Sequence, residues 1–204
     1  MKTMHALITP LKNWIIALYE KHIGIDTPKE PKGRVFFEYA KDMCGYEPSN
    51  WLTLKRINKI IHITPMDTLI DFGSGKGKMV YLAARYPLKK VIGVEISQHL
   101  HDIAKKNIAH NQKRFKCKNI QLVNADVLDF VIPDDFTIAY FFNPFLNEIF
   151  IRVISNIEAS LKKNPRTIWV VYKNPLMKAY LDNCSWLTFV GMHHNIAFYR
   201  STPD

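Results

Sequence analysis

Asp71-Phe72-Gly73-Ser74-Gly75-Lys76-Gly77 is the stretch that decides how this chain folds. The apolar run 68–72 leads into it at strand length, and residues 77–86 lead out of it with helical periodicity, so the motif joins a strand end to a helix start without an intervening loop. Glycines at 73, 75 and 77 let the backbone turn sharply and approach a ligand closely, while the helix start presents unpaired N–H groups. A dinucleotide fingerprint needs its third glycine at position 78, where Lys78 stands, and the Lys-Ser/Thr pair that ends a P-loop is missing. Both readings are therefore excluded. Asp71, at the strand end, places a carboxylate where a pyrophosphate is repelled and an ammonium attracted.

Downstream, strand-length apolar runs alternate with helical periods: strand 91–95, helix 98–111, strands 120–124 and 136–142, a helix repeating Leu146, Ile149, Phe150, Val153, Ile154 and Ile157, then strand 167–172. These runs are apolar on both faces, as parallel strands covered by helices on each side must be. Residues 186–190 and 195–199, separated by Gly191 and the pair His193 and His194, are expected to close the sheet as a hairpin, with the histidines in its turn rather than on a metal. Upstream, Leu7, Leu11, Trp14, Ile15, Leu18 and Tyr19 recur at helical spacing with Pro10 near the helix start, and such a stripe is expected to pack on its own domain. Residues 24–33, with two prolines and alternating charge, read as a surface linker, and 52–61 as a further helix.

Two more acids stand at strand tips. Strand 91–95 ends in Glu95, followed by Ile96, and an acidic side chain there can accept both hydroxyl protons of a ribose. Asp126, in Asn124-Ala125-Asp126 after the next strand, can take the exocyclic amine of an adenine. Asn143-Pro144-Phe145 follows the fourth strand directly, and a polar residue set between aromatics must find partners.

In these residues the chain resembles the class I S-adenosylmethionine-dependent methyltransferases over roughly residues 65 to 200, with three motifs matching in order and spacing. The resemblance implies S-adenosylmethionine as cofactor, with Asp71, Gly73, Ser74, Gly75 and Gly77 lining its methionine end, Glu95 and Ile96 at its ribose, Ala125 and Asp126 at its adenine, and Asn143 also against it. It implies an α/β fold: a Rossmann-like, mostly parallel seven-stranded sheet with helices on both faces, preceded by an N-terminal helical region. Asn143, Pro144 and Phe145 then lie where such enzymes face the transferred methyl. The segment Phe141-Phe142-Asn143-Pro144-Phe145 is similar in part to the Asn-Asn-Phe segment of the disruptor-of-silencing histone lysine methyltransferases. Tyr46-Glu47-Pro48-Ser49 resembles the Tyr-x-Pro-Ser/Thr element which that type shares with the mitochondrial membrane-associated lysine methyltransferases, so Tyr46 is expected over the cofactor. Over its whole length the chain is most similar to a small bacterial group of unassigned substrate, including Gly24-Ile25-Asp26-Thr27. Its single proline after Asn143 departs from the Pro-Pro-aromatic signature of the adenine-N6 type.

The expected activity is methylation of an amine, such as a protein lysine, with a protein or small molecule as acceptor. Alternatives are an RNA or small-molecule methyltransferase and a noncatalytic nucleoside-binding module. The RNA reading draws on a formal net charge of +10 and on Lys105, Lys106, Lys113, Arg114, Lys116 and Lys118, and requires that cluster beside the site. Hydrophobic residues at 48% and charged residues at 23% are ordinary globular usage and exclude a disordered or low-complexity chain. Cys44, Cys117 and Cys184 show neither disulfide nor zinc spacing, so a cytoplasmic, reducing location and no metal are expected. The apolar stretches fall short of the ~20 residues a bilayer span needs, and no signal-peptide pattern is present. Residues 1–64 are expected to form the N-terminal helical region and linker, and 65–204 the methyltransferase domain; the pattern specifies no oligomeric state.

Overall fold

The computed structural model describes residues 2–28 and 45–201, the side chains from Asn13 onward; Cys44 and linker residues 29–33 lie outside the described residues. The elements run α1 (Lys2–Ile23), α2 (Thr53–Ile61), β1 (Thr68–Phe72), α3 (Lys78–Ala84), β2 (Lys90–Glu95), α4 (Gln98–Asn111), β3 (Ile120–Asn124), β4 (Ile138–Phe142), α5 (Asn147–Lys163), β5 (Trp169–Lys173), α6 (Lys178–Asp182), β6 (Leu187–His193) and β7 (Ile196–Ser201). All seven strands join one sheet in the order β3-β2-β1-β4-β5-β7-β6. Strands β1 to β5 are parallel, and β7 enters antiparallel between β5 and β6.

Every residue of β1 is buried, because the alternating sides of the strand face two separate cores. On one side Leu69, Val91, Ile138 and Val171 pack with Leu54, Ile57, Met79 and Ile108 of α2, α3 and α4. On the other, Ile70, Ile92, Ala139 and Val170 meet Phe150, Val153 and Ile157 of α5 and Leu181 of α6. Each such buried aliphatic or aromatic side chain is worth roughly 1.5–3 kcal/mol of transfer free energy, so both helical layers are strongly held.

The strand order builds outward from β1 to β3 in one direction and from β4 to β5 in the other. The chain therefore switches direction between β1 and β4, which opens a crevice at the carboxyl ends of those two strands. Gly73 and Asn143 are the first residues past those ends.

Three features differ from the sequence expectation. The terminal hairpin turns on two residues, His194 and Asn195, both with positive φ (50° and 60°), while Gly191 sits at a register shift opposite β7. Residues 24–28 are only half solvated: Gly24, Asp26 and Pro28 are exposed, while Ile25 enters the core beside Ile23, Thr27 is buried, and Asn107 of α4 bonds the Asp26 backbone N–H and carbonyl. Finally, α1 does not bury the described part of its stripe; Trp14, Ile15 and Leu18 are exposed, and the helix is held through Glu20 and Ile23 nearer its end. The paired His193 and His194 do lie at the hairpin turn, ring to ring at 4.3 Å.

Candidate active site

Asp71 is one residue short of the end of β1, with its side chain on the α2/α3 side of the sheet. It is 4% exposed, and burial followed by the nearby charge of Glu95 pushes its carboxyl up to about 8. No hydrogen-bond donor among the described residues meets it. Above it the chain passes through Gly73, Gly75 and Gly77 at φ of 80°, 53° and 77°, a left-handed path that side chains other than glycine rarely take. A Cβ on Gly73 would overlap Pro144, and one on Gly75 would overlap the ring of Tyr46. The turn is thus bounded by Pro144 on one side and Tyr46 on the other.

Glu95, at the tip of β2, shapes that turn. Its Oε2 accepts from the Gly75 N–H at 2.8 Å and its Oε1 from the Ser97 N–H at 2.8 Å. Burial raises its pKa while these backbone donors oppose the rise. Each oxygen keeps a second lone pair for an incoming hydroxyl. Ser97 in turn caps α4 through its side chain. Asn124 donates to the carbonyls of Glu95 (2.8 Å) and Ile96 (3.0 Å), tying β3 to this tip. Asp126 Oδ1 accepts from the Leu128 N–H at 2.9 Å, and Ala125 N–H donates to the Glu95 carbonyl at 3.1 Å.

Tyr46, Asn143 and Pro144 come together with this cradle. The Tyr46 hydroxyl donates to the Thr27 carbonyl at 3.1 Å while its ring lies over Gly75. Ser49, three residues on, shares a 2.8 Å hydrogen bond with the buried Tyr140 hydroxyl of β4, which fixes the 46–49 segment over the sheet edge. Asn143 sits at φ 43°, a conformation asparagine tolerates better than most residues, and its Oδ1 is buried without a hydrogen-bond partner among the described residues. Such an orphan acceptor costs roughly 1–3 kcal/mol unless something occupies it. Phe145 is a correction to the sequence reading. It is 3% exposed and packs edge-on to Phe141 at 6.1 Å in the α5-side core, because Pro144 turns the chain inward.

Other charged residues near the glycine turn escaped the sequence reading. Lys78 is buried and pairs with Glu20 of α1 at 2.8 Å, and the same carboxylate oxygen accepts from Thr27 (2.6 Å) and Trp51 (3.0 Å). Lys76 pairs with Asp26 at 3.0 Å. At the far end of the edge, Lys173 closes β5 with its Nζ 3.8 Å from the centre of the Phe142 ring. The only advance signal for Lys173 was a charge ending an apolar strand.

The cradle fits S-adenosylmethionine on its own terms. A nearly buried carboxyl without a donor suits a cation, a turn too tight for a Cβ at Gly73 or Gly75 suits close backbone approach, and Glu95 and Asp126 have acceptor capacity for hydroxyl and amine. Among the described residues no group of His, Cys, Asp and Glu could hold a metal ion, and no helix is long and apolar enough to cross a membrane.

Family-model match and fold together make this an S-adenosylmethionine-dependent methyltransferase. Residues 46–143, just under half of the chain, match the family model of the histone methylation protein DOT1. That stretch runs from Tyr46 to Asn143 and so contains the glycine turn, Glu95 and Asp126, with Pro144 one residue beyond it. Among solved structures, the chain is similar to a Methanococcus maripaludis protein assigned as an S-adenosyl-L-methionine-dependent methyltransferase, at 18% identity and TM-score 0.56, over 75% of this chain and 84% of that one. It is also similar to an RNA methyltransferase from Salinibacter ruber in complex with S-adenosyl-L-homocysteine (18%, TM-score 0.54, 77% and 94%). A third is the ribosomal protein L11 methylase of Lactobacillus delbrueckii subsp. bulgaricus (20%, TM-score 0.54, 75% and 78%). At these identities the likeness is one of fold.

Proposed function

We propose that the chain transfers a methyl group to an amine, a lysine side chain of a protein, at the crevice between β1 and β4. The carrying observation is Asn143: its Oδ1, at the switch point, is buried and has no partner among the described residues, an unmet acceptor that an N–H of the methyl-accepting amine would satisfy. When bound, the cofactor supplies a methyl on a sulfonium and retains the electron pair of the broken bond on sulfur. The chain's task is then to orient and to exclude water.

In this reading Asp71, Gly73, Ser74, Gly75 and Gly77 hold the methionine end, Glu95 and Ile96 the ribose, and Ala125 and Asp126 the adenine. Tyr46 and residues 20–28 of the N-terminal region (1–64) cover the 65–204 domain at that end. Asn143 and the Pro144 carbonyl orient the acceptor's N–H bonds, and Phe142 lines its path. The match to the histone methylation protein DOT1, over the segment carrying Tyr46 and Asn143, supports a protein acceptor.

Nucleic acid is the less favoured acceptor, although one similar fold is an RNA methyltransferase. Lys113, Arg114, Lys116 and Lys118 fall between the end of α4 and the start of β3. The Lys116 and Cys117 N–H groups bond the carbonyl of Ala84 at the end of α3, so these four lie at the sheet edge opposite the cradle, while Lys105 and Lys106 of the same cluster sit on α4 next to Ala104, which packs against Gly77. The two described cysteines are free, Cys117 buried and Cys184 half-buried, which supports a reducing, cytoplasmic setting. Incubation with radiolabelled cofactor in an extract of its own cells tests the reading. Label lost to protease and kept through nuclease is the expected result, and the reverse overturns it.

A further inference from the structure

Registers across four strands bring Lys173 into line with the cradle. Phe72 pairs with both Val94 and Phe141, so the next residues, Gly73, Glu95 and Phe142, share one level, and Phe142 pairs with Lys173. Alternation puts the side chains of Glu95, Phe142 and Lys173 on the α2/α3 side, the side of Asp71. At about 4.8 Å per strand, Lys173 stands one strand beyond Phe142 and about 10 Å from the Gly73 backbone. Phe142 leads directly into Asn143. Lys173 is half-buried on the Phe142 ring, and no carboxylate lies within ion-pair distance of its Nζ among the described residues.

We propose that the Lys173 amine takes the proton that the acceptor ammonium must lose before transfer. This rests on the amine reading above. An ammonium has no lone pair to donate, so one N–H proton passes from acceptor to neutral Lys173, leaving a neutral acceptor amine and a charged Lys173. The freed lone pair forms the N–C bond as the C–S pair stays with sulfur, and Lys173 afterwards returns its proton to water.

The surroundings favour this role. Burial is the main cause that brings Lys173 down to about 8; Glu47 from the segment before α2 opposes it, and Arg56 of α2 and Lys78 of α3 add to it. On the β7 side its paired neighbour is the apolar Ile196, with His193 and His194 beyond at the turn. A lysine at about 8 is neutral in roughly one molecule in ten at pH 7, against one in a few thousand for an ordinary lysine at ~10.4. The Phe142 face steadies the charged form once the proton arrives.

The test reads the residue itself first. In the full chain with lysines carrying 13C at Cε and no cofactor, the resonance missing from Lys173→Met should titrate near pH 8; titration with the bulk lysines above pH 10 overturns the proposal. Transfer of labelled methyl to the protein fraction of cell extract should then fall about 100-fold or more at pH 7.5 in both Lys173→Met and Lys173→Arg. Calorimetric affinity for S-adenosylhomocysteine should stay within about threefold, which separates lost proton transfer from lost folding. Transfer by Lys173→Met within threefold of the unaltered chain overturns the proposal even when the lysine titrates low. Label entering RNA in the unaltered chain instead overturns the amine reading and takes this role with it, whereas protein labelling with a normally titrating Lys173 removes this role alone.

Discussion

Gly73 and Pro144 touch across the crevice between β1 and β4, so closely that a Cβ on the glycine would overlap the proline ring. This contact couples the glycine turn, expected at the cofactor, to the Asn143-Pro144 corner, expected at the acceptor. Gly73→Ala must therefore displace Pro144 and also strain a backbone at φ 80°. The expected cost is about 1–3 kcal/mol of stability, with cofactor affinity reduced at least tenfold. Thermal melting and calorimetry on the same preparation measure both.

Asp71 makes stability depend on pH. Its pKa rises from 3.8 unfolded to about 8 folded, so unfolding releases a proton between those values. Whatever stability the buried neutral carboxyl contributes is complete below pH 3.8 and is lost as pH climbs through 8. Asp71→Asn should remove that loss, raising the melting temperature of the cofactor-free chain by more at pH 8 than at pH 5, while weakening S-adenosylmethionine binding. An equal change in melting temperature at the two pH values contradicts the buried-carboxyl assignment.

Glu20 and Lys78 form a buried pair joining α1 to the start of α3, and Thr27 and Trp51 depend on the same carboxylate. Removing one partner strands the other, so Glu20→Ala should cost roughly 3–5 kcal/mol. Replacing both, as Glu20→Ala with Lys78→Met, should recover part of that loss. Denaturant unfolding of the single and double variants checks the coupling; a double variant as unstable as the sum of its single changes would show that no pair exists.

Asn143 should separate binding from turnover. Asn143→Ala removes the orphaned Oδ1 and leaves the cradle acids in place, so cofactor affinity should hold while the methylation rate falls roughly tenfold or more. A rate equal to that of the unaltered chain would remove Asn143 from the acceptor site.

The glycine turn, the acids at the strand tips and the mostly parallel sheet were legible because they depend on local pattern: apolar runs of strand length, each ended by Asp71-Phe72-Gly73, Glu95 or Asn124-Ala125-Asp126. Asp26 and Pro28 are as exposed as the sequence suggests, but the anchoring of residues 24–28 was not legible, because Asn107, about eighty positions away, takes up the Asp26 backbone N–H and carbonyl at 2.8 Å each. Lys173 gained meaning only through the β4–β5 register that puts it beside Phe142. Phe145 looked exposed to the site in one dimension, and the turn at Pro144 sends it into the α5 core. The five-residue α6 is too short to show a period at all.

Crystallisation of the chain with S-adenosylhomocysteine tests the cradle most directly. Density with the ribose hydroxyls on Glu95, the adenine amine at Asp126 and the amino acid end along Gly73 and Gly75 beside Asp71 is the expected result. A ligand bound elsewhere, or a cradle empty at saturating concentration, contradicts the assignment.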